Sequence, residues 1–181
     1  KVSFANPDAR GIISAETVTK LLRKETVFVS VGWANNEIGV VSPLSSIARA
    51  LRAYEERNGT RIILHSDAGQ APLYLSPHVH TLGVDLFSLG ASKLYGPHGA
   101  GCMFIGSRAE IAPIIFGGGQ ERGLRAGTEN IALAAGFAEA LQEAHNRNAE
   151  SKRVEKLRDN FAREIVANIP GVLLNGDLKH A

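Results

Sequence analysis

Short apolar runs recur along the chain, each followed by polar and small residues, and they predict buried strands. The runs contain β-branched and other large apolar side chains, which favour strands. They lie at residues 26–31, 61–64, 84–89 and 101–105. A further apolar run at residues 172–174 predicts the start of another strand.

Segments with helical periodicity lie between these runs. The spacing of their apolar residues predicts helices over residues 15–24, 43–57 and 129–168. Ser14 can cap the first helix, and Asn58 with Gly59 ends the second. Strands that alternate with helices in this way favour an α/β fold with a largely parallel sheet.

Polar residues directly follow three of the predicted strands. They are Asn35 and Asn36 after the first, Asp67 and Gln70 after the second, and Ser92 and Lys93 after the third. Ligands of parallel α/β sheets bind beyond the carboxyl ends of the strands. Three polar insertions at equivalent strand ends therefore predict an active site at this edge.

Lys93 stands out because small residues precede it and no acidic residue lies between Asp85 and Glu110 in sequence. A lysine in apolar surroundings loses its proton more readily, because desolvation disfavours the ammonium form. We therefore expect Lys93 to be a desolvated, nucleophilic amine. The alternative is a solvated loop lysine with no chemical role.

The composition is that of a globular protein and limits the partners that can be expected. The chain is 44% hydrophobic and 21% charged, which is ordinary for a globular domain. Its formal net charge of +2 gives no electrostatic reason to expect nucleic acid or a membrane surface as partner. The single cysteine excludes an internal disulfide and fits a reducing compartment, so we expect a cytoplasmic protein. Glycines cluster at residues 90–106 and 117–127, which suggests backbone packed against a ligand.

A lysine, an aspartate, a glutamine and an asparagine together suit pyridoxal phosphate. The aldehyde of this cofactor needs an amine, and its ring nitrogen needs a carboxylate that keeps it protonated. Its phenolic oxygen needs a hydrogen-bond donor, and its phosphate needs hydroxyl and backbone N–H groups.

Four stretches make the sequence similar to a known family. They are residues 34–41 (ANNEIGVV), 65–70 (HSDAGQ), 93–101 (KLYGPHGAG) and 117–130 (GGGQERGLRAGTEN). In this order and spacing they resemble the class V aminotransferase family of fold-type I pyridoxal phosphate enzymes, and most closely its cysteine desulfurases and selenocysteine lyases. The resemblance covers essentially the whole chain.

The resemblance implies a role for each polar residue at the predicted edge. Lys93 corresponds to the lysine that forms the Schiff base and moves the proton. Asp67 corresponds to the partner of the ring nitrogen, and Gln70 to the donor for the phenolic oxygen. Asn36 corresponds to the residue near the ring oxygen and the substrate carboxylate. Taken singly, Asp67 could instead cap a helix, Gln70 could be a surface residue and Asn36 could hold a turn.

Further roles implied by the resemblance lie outside this group. Ser92 stands where desulfurases usually have a phosphate-binding histidine, and its hydroxyl is still expected to donate to the phosphate. Gly90 stands where a serine is common, so phosphate binding is expected to be weaker or supplied from elsewhere. Thr128 resembles a threonine that reaches a phosphate across a homodimer interface, although it could simply cap the following helix. Arg125 and residues 117–119 are expected to line the mouth of the site, and Arg125 is expected to contact the substrate.

The family pattern extends beyond both ends of this sequence, so we expect an internal fragment. Residues 1–135 would form part of the cofactor-binding large domain, and residues 136–181 a long connecting helix and the start of a small domain. The nucleophilic cysteine and the arginine that binds the substrate carboxylate are expected outside the chain. Cys102 is expected to be a small core residue, and no pair of histidines has metal-ligand spacing.

The function implied is removal of sulfur from L-cysteine, giving alanine and an enzyme persulfide whose sulfur supplies iron–sulfur clusters or thio-cofactors. Selenocysteine lyase is the close alternative, followed by another pyridoxal phosphate reaction such as transamination. A hypothesis of another class is a non-catalytic dimerisation or binding module. A homodimer and a sulfur-acceptor protein are the expected partners, with no nucleic acid, membrane or metal.

Overall fold

The computed structural model of the chain describes residues 1–145 and 148–181. Its four-stranded sheet has the order β1-β2-β3-β4. The strands are β1 (Phe28–Gly32), β2 (Ile63–Asp67), β3 (Leu86–Gly90) and β4 (Gly101–Ile105). The first three run parallel and β4 runs antiparallel to β3. The α/β prediction is therefore confirmed, with one antiparallel edge strand.

Five helices accompany the sheet in the described part of the chain. They are α1 (Ala15–Thr19), α2 (Leu44–Asn58), α3 (Val79–Leu82), α4 (Ile131–His145) and α5 (Asn148–Asn168). The predicted helix over 129–168 thus contains α4 and α5, and residues 146–147 between them lie outside the described residues. None of the described helices is both long and apolar enough to span a bilayer.

Two predicted boundaries and one predicted strand are wrong. The first helix is capped by Ser14 as expected but ends at Thr19. The second strand continues to Asp67, because Ser66 faces the core and its hydroxyl donates to the Val31 carbonyl at 2.7 Å. Residues 172–174 form no strand, since no neighbouring strand pairs with them in the described structure, and Leu173 is 86% exposed.

The core lies between α2 and one face of the sheet. Leu44, Ile47 and Leu51 of α2 are almost fully buried, and they belong to one cluster with Leu64 of β2 and Phe87 of β3. Their spacing places them on a single helical face, as a core-facing amphipathic helix requires. The helix ends at Gly59, whose φ of 62° is the left-handed conformation that favours glycine.

Four charged side chains join α2 to the amino-terminal edge of the sheet. Arg52 pairs with Glu55 at 2.9 Å and with Asp85 at 2.6 Å, and Arg108 pairs with the same two carboxylates at 2.7 and 3.1 Å. The backbone N–H of Leu64 also donates to Asp85, at 2.8 Å. We call these four residues the Arg52 cluster. It fixes the starts of β2 and β3, and so the positions at which these strands end.

Candidate active site

A cavity of about 730 Å³ lies at the carboxyl-terminal edge of the sheet. Five of the polar residues predicted at the strand ends line it: Asn35, Asn36, Asp67, Gln70 and Lys93. Ser3, Phe4, Ala5 and Pro7 of the amino-terminal segment line it as well. The structure therefore brings together residues from three separate β-strand ends, as the sequence pattern predicts.

Asp67 is the last residue of β2 and is held by its neighbours on both sides. It is in register with Gly32 of β1 and Ser88 of β3. Its carbonyl accepts from the Trp33 N–H at 2.8 Å, and the Ala68 N–H donates to the Ser88 carbonyl at 3.0 Å. Its Oδ1 accepts from the Gly69 N–H at 3.0 Å. This Asx turn occupies one carboxylate oxygen, and Oδ2 has no hydrogen-bond partner among the described residues.

The two asparagines after β1 differ in their hydrogen bonding. Oδ1 of Asn35 accepts from the backbone N–H groups of Glu37 and Ile38, at 2.9 and 3.1 Å, and so holds the turn. Asn36 and Gln70 are different, because the amides of both line the cavity without a hydrogen-bond partner in residues 1–145 and 148–181. The turn-holding role that was an alternative for Asn36 therefore belongs to Asn35.

Lys93 lies on a single 3₁₀ turn, Ala91–Leu94, that follows β3. Ala91 and Leu94 are buried on either side of it and anchor the turn. The Ala91 N–H donates to the Ala100 carbonyl at 3.0 Å, and the Gly96 N–H closes the turn on the Ala91 carbonyl at 2.9 Å. The lysine is thus carried by a rigid backbone whose neighbours belong to the core.

The expected desolvation of Lys93 is not found in this chain. The side chain is exposed, because the apolar residues near it in sequence, Ala91 and Leu94, are buried in the core and do not cover it. It also forms no ion pair among the described residues, so its amine is free to meet a ligand. Its environment is open rather than apolar.

Three other predicted residues do not line the cavity. Ser92 is exposed on the Lys93 turn, and Thr128 is exposed just before α4. Arg125 donates to the carbonyl of the adjacent Ala126 at 2.9 Å. The glycine-rich residues 117–119 are exposed and also lie outside the cavity lining. None of the hydrogen bonds or ion pairs in residues 1–145 and 148–181 draws these residues towards the cavity.

Cys102 is exposed on β4, not buried as expected. The first three residues of β4, Gly101 to Met103, are all exposed, so the strand begins outside the core. Partial burial nevertheless raises the pKa of its thiol, which disfavours the nucleophilic thiolate. Cys102 is absent from the described cavity lining. In the described part of the chain, no group of three or more histidine, cysteine or acidic residues could hold a metal ion.

Sequence reasoning missed two hydroxyl groups at the cavity. Ser30 of β1 and Ser42 before α2 both line it. Ser42 donates to the Gly32 carbonyl at 2.7 Å and so fixes the start of the loop that carries Asn36. The signal for Ser30 was its position two residues before Gly32, since alternate residues of a strand share a face.

The whole chain, residues 1–181, matches the family model described as aminotransferase class-V. Curated relatives include the cysteine desulfurase IscS of Clostridium botulinum, 40% identical over 97% of this chain and 43% of that protein. The mitochondrial cysteine desulfurase of Candida maltosa is 37% identical over 97% of this chain and 35% of that protein. The chain therefore spans less than half the length of these relatives.

Solved structures with a similar fold are related to the same group of proteins. A NifS-like protein superposes with a TM-score of 0.89 at 34% identity, covering 100% of this chain and 48% of that one. DndA from Streptomyces lividans has a TM-score of 0.84 at 32% identity, covering 100% of this chain and 50% of that one. The fold, the sequence match and the relatives agree: the chain belongs to the class-V aminotransferase family.

Proposed function

We propose that the gene product carrying this chain is a pyridoxal phosphate-dependent cysteine desulfurase. It would convert L-cysteine to alanine and transfer the sulfur atom to a thiol, which becomes a persulfide. One observation carries the proposal: Lys93, Asp67, Gln70 and Asn36 converge on a single cavity. The names of the curated relatives, and a 35% identical structure described as SspA in complex with cysteine, support this choice of substrate.

The residues at the cavity fit pyridoxal phosphate, on which this family depends. An unpaired amine, a carboxylate with one unoccupied oxygen and two unpaired amides match an aldehyde, a ring N–H and ring oxygens in turn. When bound, the cofactor would supply an electron sink for chemistry at the substrate α-carbon.

The chain's own residues would divide the work as follows. Lys93 Nζ holds the cofactor covalently and, once displaced, carries the proton of the substrate. Asp67 accepts a hydrogen bond from the ring N–H and keeps that nitrogen protonated. Gln70 and Asn36 donate their amide hydrogens to anionic oxygens and so fix the orientation of the bound molecules.

Several finer assignments belong to the same proposal. Ser92 and Thr128 would contact the phosphate, Thr128 across a homodimer interface, and Arg125 would contact the substrate. We further propose a division into residues 1–135 and 136–181, a separate sulfur-acceptor protein and a cytoplasmic location. Sulfur supply to iron–sulfur clusters would follow from these assignments.

The direct test is an assay of alanine and sulfane-sulfur formation from L-cysteine by the gene product, with pyridoxal phosphate added. Lys93→Ala is expected to abolish both products, whereas Lys152→Ala on α5 is expected to leave them unchanged. Keto-acid formation without alanine would contradict desulfuration in favour of transamination. Turnover of selenocysteine but not of cysteine would contradict the choice of substrate.

A further inference from the structure

Three side chains form a hydrogen-bonded chain across β1, β2 and β3. Ser30 Oγ lies 2.8 Å from His65 Nδ1, and His65 Nε2 lies 3.2 Å from Ser88 Oγ. We call this arrangement the Ser30–His65–Ser88 relay. The His65 ring also stacks on Phe28, with ring centroids 6.0 Å apart and planes 16° apart, which holds the ring in the plane that reaches both serines.

The relay leads directly to the candidate site. Ser30 is in register with His65, and Ser88 is in register with Asp67. Because alternate residues of a strand share a face, His65 and Asp67 lie on the same face of β2. Ser30 lines the cavity together with Asp67 and Lys93, while Ser88 is not part of the described lining. One end of the relay therefore faces the cavity, and the other lies outside its described lining.

The tautomer of His65 decides what Ser30 offers to the cavity. If Nδ1 carries the proton, it donates to Ser30 Oγ, and the Ser30 O–H is free to donate into the cavity. Ser88 then donates to Nε2. If Nε2 carries the proton instead, it donates to Ser88 Oγ. The Ser30 O–H then donates to Nδ1 and is no longer available to the cavity. Neutral imidazole has one donor and one acceptor, so these two arrangements exclude each other.

We propose that the relay positions Ser30 as a hydrogen-bond donor to an anionic oxygen of the bound cofactor, with the proton of His65 on Nδ1. This inference rests on the proposed function, which makes pyridoxal phosphate the ligand of the cavity. The other groups that face the cavity favour this direction: Lys93, Asn36 and Gln70 can all donate, and Asp67 is the one acidic residue in the described lining. Ser30 is a positioned donor and His65 is the positioning residue.

The first experiment reads the tautomer by ¹⁵N NMR of the His65 ring, assigned with His65→Gln, in the presence of pyridoxal phosphate. The wild-type protein is expected to carry the proton on Nδ1, and Ser88→Ala is expected to show a mixture of the two tautomers. Ser30→Ala removes the acceptor of that proton, which is expected to move to Nε2 and donate to Ser88. A proton on Nε2 in the wild-type protein, or an unchanged tautomer in Ser30→Ala, would overturn the inference.

The second experiment measures the dissociation constant of pyridoxal phosphate. Ser30→Ala is expected to weaken binding roughly tenfold or more, as expected for a hydrogen bond to a charged group, and Ser30→Thr is expected to restore it. Ser88→Ala is expected to weaken binding roughly threefold, because it frees the tautomer without touching the cavity. The controls Ser46→Ala and His80→Gln lie on α2 and α3 and are expected to match the wild-type protein.

The proposed function and the relay can be refuted separately. If reduction with borohydride leaves no cofactor on Lys93 of the wild-type protein, the proposed function fails, and the relay loses its ligand with it. If the adduct forms but Ser30→Ala and Ser88→Ala both bind the cofactor as tightly as the wild-type protein, only the relay is refuted. Weaker binding in Ser30→Ala alone would indicate a direct contact without a relay, and would also refute it.

Discussion

The two edges of the sheet each gather polar side chains, but they use them in opposite ways. At the amino-terminal edge, the four charges of the Arg52 cluster pair with one another and with the backbone of β2. At the carboxyl-terminal edge, Asn36, Gln70 and Lys93 line a cavity and have no partner within the described residues. One edge is chemically complete, and the other leaves polar groups available to a ligand.

Burial explains the difference. Glu55 is 9% exposed and Asp85 is 3% exposed, and a buried charge is tolerated only when it is paired and hydrogen-bonded. Burial lowers the pKa of Arg52, but its hydrogen bonds to Glu55 and Asp85 outweigh that effect and raise it. The exposed residues of the other edge remain solvated, so the fold can leave them unpaired at little cost. Substitutions at the amino-terminal edge are therefore expected to lower stability, and substitutions at the carboxyl-terminal edge are expected to weaken ligand binding.

The largest effect on stability is expected from Asp85→Ala. It leaves Arg52 and the Leu64 N–H without their buried acceptor, and loss of one partner of a buried ion pair costs about 3–5 kcal/mol. Chemical denaturation would measure the free energy of unfolding. The matched control is Asp159→Ala, which breaks a half-exposed pair with the adjacent Arg158 and is expected to cost about 1 kcal/mol or less. Equal losses in the two variants would remove the basis of the comparison.

Asp67→Ala tests the opposite edge and is expected to act on binding. A charge-assisted hydrogen bond contributes about 1.5–3 kcal/mol, so the variant is expected to bind pyridoxal phosphate roughly ten- to a hundredfold more weakly. Its free energy of unfolding is expected to change far less than that of Asp85→Ala, since Asp67 is exposed. A titration followed by absorbance gives the first quantity and denaturation the second. Unchanged affinity would contradict the role of Asp67.

Gly96→Ala probes the rigid support of the Lys93 turn. An added Cβ would lie 3.0 Å from the Ala140 Cβ of α4 and 3.1 Å from the Ala91 carbonyl oxygen, tighter than ordinary contact. The expected loss of stability is about 1 kcal/mol, because the reduced entropy of the unfolded chain offsets part of the crowding. Gly90→Ala is the control, since its added Cβ would meet nothing within 4 Å. If Gly96→Ala is as stable as Gly90→Ala, the Lys93 turn accommodates the added Cβ and is not rigid.

The smallest effect concerns the carboxyl-terminal segment beside the Asn36 loop. Hydrogen bonds from the Lys179 N–H and from His180 hold the pKa of Asp177 below its usual range, and the His180 carbonyl accepts from the Val41 N–H at 2.7 Å. A carboxyl group with a lowered folded-state pKa contributes stability above its ordinary pKa of about 4, and that stability is lost as the pH falls through the folded-state value.

Asp177→Asn is therefore expected to be slightly less stable than the wild-type protein at pH 7 and equal to it in strong acid. Thermal unfolding measured across the acid range would check this convergence. A difference that stays constant from pH 7 into strong acid would show that ionisation of Asp177 contributes nothing.

The polar residues of the carboxyl-terminal edge could be predicted from sequence far better than those of the amino-terminal edge. Asn36, Asp67, Gln70 and Lys93 each lie within six residues of the end of an apolar run, so local patterns and the geometry of parallel strands were enough to bring them together. The Arg52 cluster has no such signal, because Arg108 and Glu55 are 53 positions apart in the chain. Long-range pairing of this kind is visible only in the folded chain.

The errors have physical causes as well. The polar residues 65–67 suggested a loop, yet they continue β2, because Ser66 satisfies its hydroxyl inside the core while His65 and Asp67 face the other side. The apolar residues 172–174 suggested a strand, but an apolar run becomes a strand only where another strand can pair with it. Flanking sequence indicated burial of Lys93, and the folded turn directs those flanking side chains elsewhere.

The most direct test of the central claim is to locate the cofactor chemically. The protein would be incubated with pyridoxal phosphate, reduced with borohydride, digested and analysed by mass spectrometry, alongside Lys93→Ala and the exposed-lysine control Lys152→Ala. The account predicts a single modified peptide that contains Lys93, present in the wild-type protein and in Lys152→Ala and absent from Lys93→Ala. Modification spread over surface lysines, or a modified peptide that persists in Lys93→Ala, would contradict it.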